Sequence, residues 1–289
     1  MRALVTGASG QVGADVARLL EGRAEVAART RASLDLEKPD EIRSAVREVR
    51  PDVIVNAAAY TAVDRAESDE DRARAVNGVA PGILAEEAKR AGALLIHYST
   101  DYVFDGELDR PYMETDATNP LSAYGRTKLE GERAVTAAGG RYLILRTSWV
   151  YAPHGRNFML TMLRLAAERH ELRIVDDQRG APTTSLQLAR ATVDLSDAQR
   201  EHAGIYHATA AGETTWFGFA AAIFEGRKRK PGNTLRMPKL VPISTADYPT
   251  PAKRPKNSVL SNAKLENVFG IRVGDWREGL EEALDALRG

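Results

Sequence analysis

Tyr124 and Lys128 stand four apart in Tyr124-Gly125-Arg126-Thr127-Lys128. On a helix that spacing puts both side chains on one face. A lysine charge close to a phenol favours the phenolate, so the pair predicts a tyrosine titrating below its ordinary value of about 10. Such a phenol can pass a proton at neutral pH. Thr100 ends the run His97-Tyr98-Ser99-Thr100, directly after the apolar Ala93-Leu94-Leu95-Ile96. The carboxyl end of a parallel strand is where ligands bind in doubly wound sheets. A hydroxyl there can hydrogen-bond the carbonyl oxygen that the phenol protonates. Singly, each residue also fits a structural role: Tyr124 and Lys128 as a surface helix pair, Thr100 as a strand residue capping its own backbone. The chemistry needs all three in this order.

A second set of residues could hold a reactant. Thr6-Gly7-Ala8-Ser9-Gly10-Gln11-Val12-Gly13 follows an apolar run and precedes a helical pattern. The first glycine permits a tight turn, the middle one lets backbone reach a pyrophosphate, and the third lets helix and strand pack closely. The helix amino terminus adds free N–H groups and a positive dipole end. Gly7, Gly10, Gln11, Val12 and Gly13 are therefore candidate dinucleotide contacts, and Lys128 could hold the nicotinamide ribose. Ala28-Arg29-Thr30-Arg31 follows with no acid to hold a free ribose hydroxyl pair. Arg29 and Arg31 could meet a 2′-phosphate instead, which favours NADPH, with NADH as the other candidate; exposed loop arginines would look the same. Asp35 and Leu36 are placed to touch the adenine, although Asp35 also reads as a cap before Pro39. Ala57, Ala58 and Ala59 are small enough for a flat cofactor to lie against their backbone.

These residues need elements to position them. Ala3-Leu4-Val5, Glu25 to Ala28, Val53-Ile54-Val55, Ala93 to Ile96 and Tyr142 to Leu145 are short apolar runs. Between them lie helical spacings such as Val12, Val16, Leu19 and Leu20. Strands apolar throughout, alternating with amphipathic helices, predict an α/β fold with a doubly wound parallel sheet of the Rossmann type. We place the NAD(P)-binding part in 1–150, with some later segments free to return to it, and a smaller, mainly substrate-binding lobe in 151–289. In that half the spacing predicts helices over Phe158 to Glu168, near Leu186 to Leu195 and over Asp275 to Leu287, the last ended by Gly289. Leu172 to Val175 and Ile205 to His207 read as strands. The stretch from Pro238 to Pro255 has no helical period, and Arg227 to Lys230 reads as a solvated helix end.

Composition narrows the field. Lysine plus arginine number 40 and aspartate plus glutamate 40, so the formal charge is zero. Such a balance offers no long-range pull toward nucleic acid or an anionic membrane. With no cysteine, disulfides, thiolate metal sites and a cysteine nucleophile are excluded. No leader pattern is apparent, and no run approaches the roughly 18 apolar residues of a membrane span. A cytoplasmic protein is expected. His97, His154 and His207 stand singly and read as structural or surface residues.

Together, the Gly-x-x-Gly-x-x-Gly loop, strand-end Thr100 and Tyr-x-x-x-Lys resemble extended short-chain dehydrogenases. More narrowly, Asn56 to Glu67, Tyr98 to Gly106 and Arg146 to Tyr151 resemble the dTDP-4-dehydrorhamnose reductase family. So do Asn157-Phe158, Asp177-Gln178, Gly180 to Thr183, Tyr248 to Ala252, Arg254-Pro255 and Asn257-Ser258, which carry the likeness through almost the whole chain. The resemblance implies NADPH-dependent reduction of the 4-keto group of dTDP-4-dehydro-β-L-rhamnose. It makes Tyr124 the proton donor, Lys128 the holder of the nicotinamide ribose and Thr100 the group orienting the carbonyl. Asp101, Tyr102 and Trp149 become sugar-nucleotide contacts. Arg254 could pair with the diphosphate through its planar fork, or simply brace a proline-fixed loop. Some family members carry magnesium at a subunit contact. Here only Asp15, Asp176 and Asp177 are suggestive, without ligand spacing, so no metal is expected. The expected partner is a dTDP-sugar, with no nucleic acid or membrane, on a monomer or homodimer. The rivals are a reductase or epimerase acting on another nucleotide sugar, and a non-catalytic regulatory subunit resembling that of methionine adenosyltransferase.

Overall fold

The first apolar run forms β1 (Arg2–Thr6), in which Ala3, Leu4 and Val5 are wholly buried. It opens a computed structural model describing residues 1–197, 202–230 and 237–287. Further strands are β2 (Glu25–Arg29), β3 (Val53–Asn56), β4 (Leu94–Thr100) and β5 (Arg141–Thr147), then the short β6 (Val150–Tyr151), β7 (Glu171–Val175), β8 (Arg179–Gly180) and β9 (Thr183–Thr184). β10 (Gly204–His207), β11 (Thr214–Thr215) and β12 (Lys239–Ile243) follow. The helices are α1 (Gln11–Leu20), α2 (Pro39–Val49), α3 (Val63–Ala66), α4 (Glu70–Arg74), α5 (Ala80–Ala91) and α6 (Ala123–Ala138), then α7 (Phe158–Glu168), α8 (Ser185–Asp197), α9 (Trp216–Arg229), α10 (Ala263–Phe269) and α11 (Trp276–Ala286).

The main sheet runs β10-β5-β4-β3-β1-β2 with every pairing parallel. The chain winds from β1 outward to β2, then restarts on the other side at β3, so the switch point lies between β1 and β3. Because both faces are covered, the central strands carry no polar alternation. On one face Val5, Val55, Ile96 and Leu145 pack with Val16 and Leu20 of α1, Leu188 of α8 and Leu265 of α10. On the other, Leu4, Ile54, Leu95 and Ile144 meet Ile42 of α2, Leu84 of α5 and Val135 of α6.

The later half does not form a separate block in sequence. β10, α8 and α10 join the sheet core, while α7, α9 and α11 close a second core around Met159, Phe219, Ile223, Trp276 and Leu280. The stretch from Pro238 to Pro255 contains β12, paired in parallel with β7. Pro242 is tolerated inside it because, among the described residues, β12 has one hydrogen-bonded neighbour, β7, and so is an edge strand. The basic end of α9 is more than a solvated tip: Lys230 Nζ lies 2.6 Å from Asp285 and 3.1 Å from Glu281 of α11. Gly289 lies outside the described residues. Among those described, no helix is long and apolar enough to cross a membrane.

Candidate active site

Thr100 is the last residue of β4, and α6 begins a short loop later. Ser122 caps that helix by accepting from Gly125 N–H at 3.2 Å. A Cβ on Gly125 would fall 2.2 Å from the carbonyl oxygen of Tyr102. The glycine therefore lets the first turn of α6 press against the segment after β4, and that approach carries Tyr124 to Thr100. The two hydroxyls hydrogen-bond, and the ring of Tyr124 meets that of Tyr102 edge-on at 5.5 Å. Lys128, one turn on, is 2% exposed and donates from Nζ to the carbonyl of Tyr98 at 2.6 Å. All three residues line one cleft of about 690 Å³ at the carboxyl ends of β1, β3 and β4.

The titration of the pair corrects the expectation of a depressed phenol. Burial pushes Tyr124 up to about 12, against the opposing hydrogen bond from Thr100. Burial also pulls Lys128 down to about 8, with the charge of Glu132 acting the other way. The ammonium is spent on the Tyr98 carbonyl instead of the phenol, and Lys128 itself is shielded from water. Tyr124 is thus a neutral O–H across the physiological range, the form that can give a proton away. Asp101, also buried, is raised to about 6 chiefly by desolvation. Its Oδ1 accepts from the Thr100 hydroxyl at 3.1 Å.

The glycine loop is shaped for a ligand on one side and for protein on the other. Gly7 has φ +67°, and a Cβ there would lie 2.7 Å from Ala58 N. A Cβ on Gly13 would fall 2.3 Å from the Gly7 carbonyl. Gly10, exposed, would meet only that same carbonyl, at 3.2 Å. The first and third glycines therefore serve packing, while the middle one faces open cleft at the amino end of α1. Gln11, Val12 and the small Ala57, Ala58 and Ala59 complete this wall. Gln11 Oε1 accepts from Asn157 at 2.8 Å, tying the loop to the cap of α7.

At the end of β2 the structure separates the two arginines. Arg29 turns to Glu48 of α2, 3.7 Å away, and is not on the cleft wall. Arg31 is on it, as are Asp35 and Leu36. Beside them lie two residues the sequence reasoning missed, Glu37 and Arg72, the latter from α4. Glu37 Oε1 receives Arg31 at 2.6 Å and Arg72 at 2.9 Å. Only the three-dimensional approach of α4 could reveal Arg72, which stands in an ordinary charged helical run.

Asp101, Tyr102 and Trp149 also line the cleft. Trp216, at the start of α9, joins them and was not singled out by sequence; its ring stacks on Trp149 at 3.6 Å and 10°. Arg254 does not reach the wall. Its guanidinium pairs with Asp64 at 2.9 Å and with Thr250 and the Ala252 carbonyl at 2.5 and 3.2 Å. It still lies near enough to Tyr102 for its charge to oppose the rise that burial imposes on that phenol. Among the described residues no group of three His, Asp or Glu side chains is placed to hold a metal ion. Asp15, Asp176 and Asp177 each accept instead from a hydroxyl, of Ser185, Thr215 and Thr245. His97 and His207 are buried and held neutral by desolvation, and His154 is exposed.

The profile of the family described as RmlD substrate binding domain matches residues 1–288. A dTDP-4-dehydrorhamnose reductase of Burkholderia thailandensis is 52% identical over 285 residues, covering 96% of each chain. The crystal structure of a dTDP-4-dehydrorhamnose reductase from Clostridium acetobutylicum superposes with a TM-score of 0.93 at 40% identity, covering 99% of each. That of the Bacillus anthracis dTDP-4-dehydrorhamnose reductase, in complex with NADP, gives 0.92 at 34% identity over 98% of each.

Proposed function

The chain belongs to the RmlD substrate binding domain family, and from that premise we propose that it reduces the 4-keto group of dTDP-4-dehydro-β-L-rhamnose, with NADPH, to give dTDP-L-rhamnose. The observation that carries this reading is the meeting of Tyr124, Thr100 and Lys128 with the glycine loop in one cleft, in a chain so similar to named reductases along its whole length. The glycine loop fits a dinucleotide, since only Gly10 leaves its missing side chain's space open to the cleft. Gly10, Gln11, Val12 and Ala57 to Ala59 would hold the cofactor's pyrophosphate and flat surfaces, Asp35 and Leu36 its adenine, and Lys128 its nicotinamide ribose. When bound, NADPH supplies the hydride.

As the keto carbon is reduced, negative charge builds on its oxygen and must be neutralised as it forms. Tyr124 holds a proton at its phenol oxygen for this, being neutral up to about pH 12. Thr100 orients the carbonyl and hydrogen-bonds the phenolate left behind. Lys128 keeps a positive charge beside the site below about pH 8. The test is direct: incubate the protein with dTDP-4-keto-6-deoxy sugars and NADPH and identify the product. dTDP-L-rhamnose is expected. Product epimerised without net consumption of NADPH, or no turnover of any such sugar, would overturn the reading.

Two further results are expected. First, kcat/KM should fall as pH rises through about 8, where Lys128 loses its proton. In Lys128→Met that limb should vanish and turnover should drop; a limb unchanged in the variant would assign it to another group. Second, the preference for NADPH over NADH should depend on Arg31 and Arg72, which face the cleft, and not on Arg29, which faces Glu48. Replacing Arg31 and Arg72 together by Ala removes two charge-assisted contacts. It should lower the preference by about 10- to 100-fold, at roughly 1.4 kcal/mol per factor of ten. Arg29→Asp should leave it within about twofold. Loss of preference in Arg29→Asp alone would contradict this placement.

A further inference from the structure

Trp149 has φ +50°, in the left-handed region that bulky residues adopt only when their surroundings hold them there. Those surroundings come from three places in the chain. Thr147, two residues earlier, pairs with Thr100 across β5 and β4. The Trp149 carbonyl accepts from Thr183 N–H at 3.2 Å. Gly180 of β8 passes so close that a Cβ there would lie 2.6 Å from Trp149 Cε2. Trp216 then covers the indole, centroids 3.6 Å apart and planes within 10°.

Trp216 is itself held by a hydrogen bond and a ring contact besides its stack on Trp149. Its N–H donates to Gln178 Oε1 at 3.2 Å, and Gln178 donates onward to the Thr245 hydroxyl at 3.0 Å. Thr245 in turn donates to Asp177 at 2.6 Å. Phe158 tilts against the ring at 4.7 Å. β11, which leads into Trp216, is hydrogen-bonded to β8, which carries Gly180. The two residues that confine Trp149 are thus held at one spacing by a single pair of strands. Both indoles line the cleft with Tyr124 and Thr100.

We propose that Trp216 is the positioning residue of the sugar subsite: by stacking on Trp149 it fixes the indole against which the deoxysugar ring and its methyl group are seated while Tyr124 gives up its proton. This rests on the reading of the cleft as a sugar-nucleotide reductase. A 6-deoxy sugar carries a methyl group where other hexoses carry a hydroxymethyl; with Trp216 on one face of the indole and Gly180 on the other, the cleft-lining edge of Trp149 offers carbon contacts to that methyl. The site needs that edge held still, because an indole that must be ordered at each binding event lowers the affinity for the sugar.

The experiment measures steady-state turnover of the dTDP-4-keto-6-deoxy sugar, with NADPH affinity followed separately by fluorescence and the stack by near-ultraviolet circular dichroism. Trp216→Ala should lower kcat/KM for the sugar by about 10- to 100-fold, mainly through KM. NADPH affinity should be unchanged, and the signal of the two coupled indoles should be lost. Trp216→Phe should restore most of kcat/KM, since a flat ring still supports Trp149. Gly180→Ala displaces Trp149 by the other route, so it should raise the same KM even if Trp216→Ala does not fold. Combined with Trp216→Ala, it should add little. Sugar kinetics unchanged in Trp216→Ala or Gly180→Ala, NADPH affinity falling in parallel, or no rescue by Phe would each overturn the proposal. A wild-type protein that turns over no such sugar would instead overturn the reading on which it rests.

Discussion

Tyr124→Phe is expected to reduce turnover by about 100- to 10,000-fold, the range for a lost general acid. The substitution removes one oxygen and no carbon. The ring remains available for its edge-on contact with Tyr102 at 5.5 Å, so fold and NADPH affinity should stay close to native. What disappears is the proton at the place where charge develops on the sugar oxygen. Thr100→Val should cost less, because it removes the orienting hydroxyl and leaves the donor. The rank order is the informative part. Neutral Tyr124, held near 12 by burial, is the loaded form for reduction, so the forward rate should show no loss on the acid side from this residue. Steady-state turnover beside a separate NADPH binding measurement decides it. Most of the activity surviving in Tyr124→Phe would sink the mechanism.

Arg146→Met is expected to destabilise the protein by about 3–5 kcal/mol, the cost of stranding a buried charge. Arg146 and Glu132 have side chains 3% and 2% exposed. Their double contact runs at 2.9 and 2.7 Å, and the Ser99 hydroxyl donates to the same carboxylate at 2.5 Å. Arg146 also lies over the ring of Phe104, 5.0 Å from its centroid. Remove the guanidinium and Glu132 keeps only a neutral donor, one turn from Lys128. Pairing the change with Glu132→Leu removes both charges and should recover most of the loss. Thermal melts of the two single variants and the double variant give the answer. At roughly 2–4 °C per kcal/mol the single change should be unmistakable. A melting point lowered by less than about 3 °C, under 1.5 kcal/mol on that scale, would mean that water reaches the pair.

The sheet and the meeting of Tyr124, Lys128 and Thr100 in one cleft were legible because their signals are local. Ala3-Leu4-Val5 is apolar since both faces of β1 are covered, and Tyr124 and Lys128 share a face because four residues make about one helical turn. The direction of Arg29 was not local. Whether a side chain after β2 turns to the cleft or to α2 depends on Glu48, which comes from another element. The pKa of Tyr124 was misjudged for a related reason. Proximity to Lys128 is written in the spacing, but burial and the competing Tyr98 carbonyl are not. Trp216 shows the same limit from the other side. One tryptophan before a helix looks like core, and only the fold shows that it stacks on Trp149. β12 hid behind its prolines, which forbid a helix without forbidding an edge strand.

β10 completes the sheet from residues 204–207, although its neighbour β5 ends at Thr147. During synthesis, then, β5 leaves the ribosome with one edge of Leu143, Ile144 and Leu145 unpaired and waits for its partner. At 5–20 residues per second that wait lasts a few seconds. Such an open apolar edge is a template for strands of other nascent chains. A message truncated between the two strands, or a recombinant fragment ending near residue 150, should therefore yield aggregate, while the complete chain can close the edge within itself.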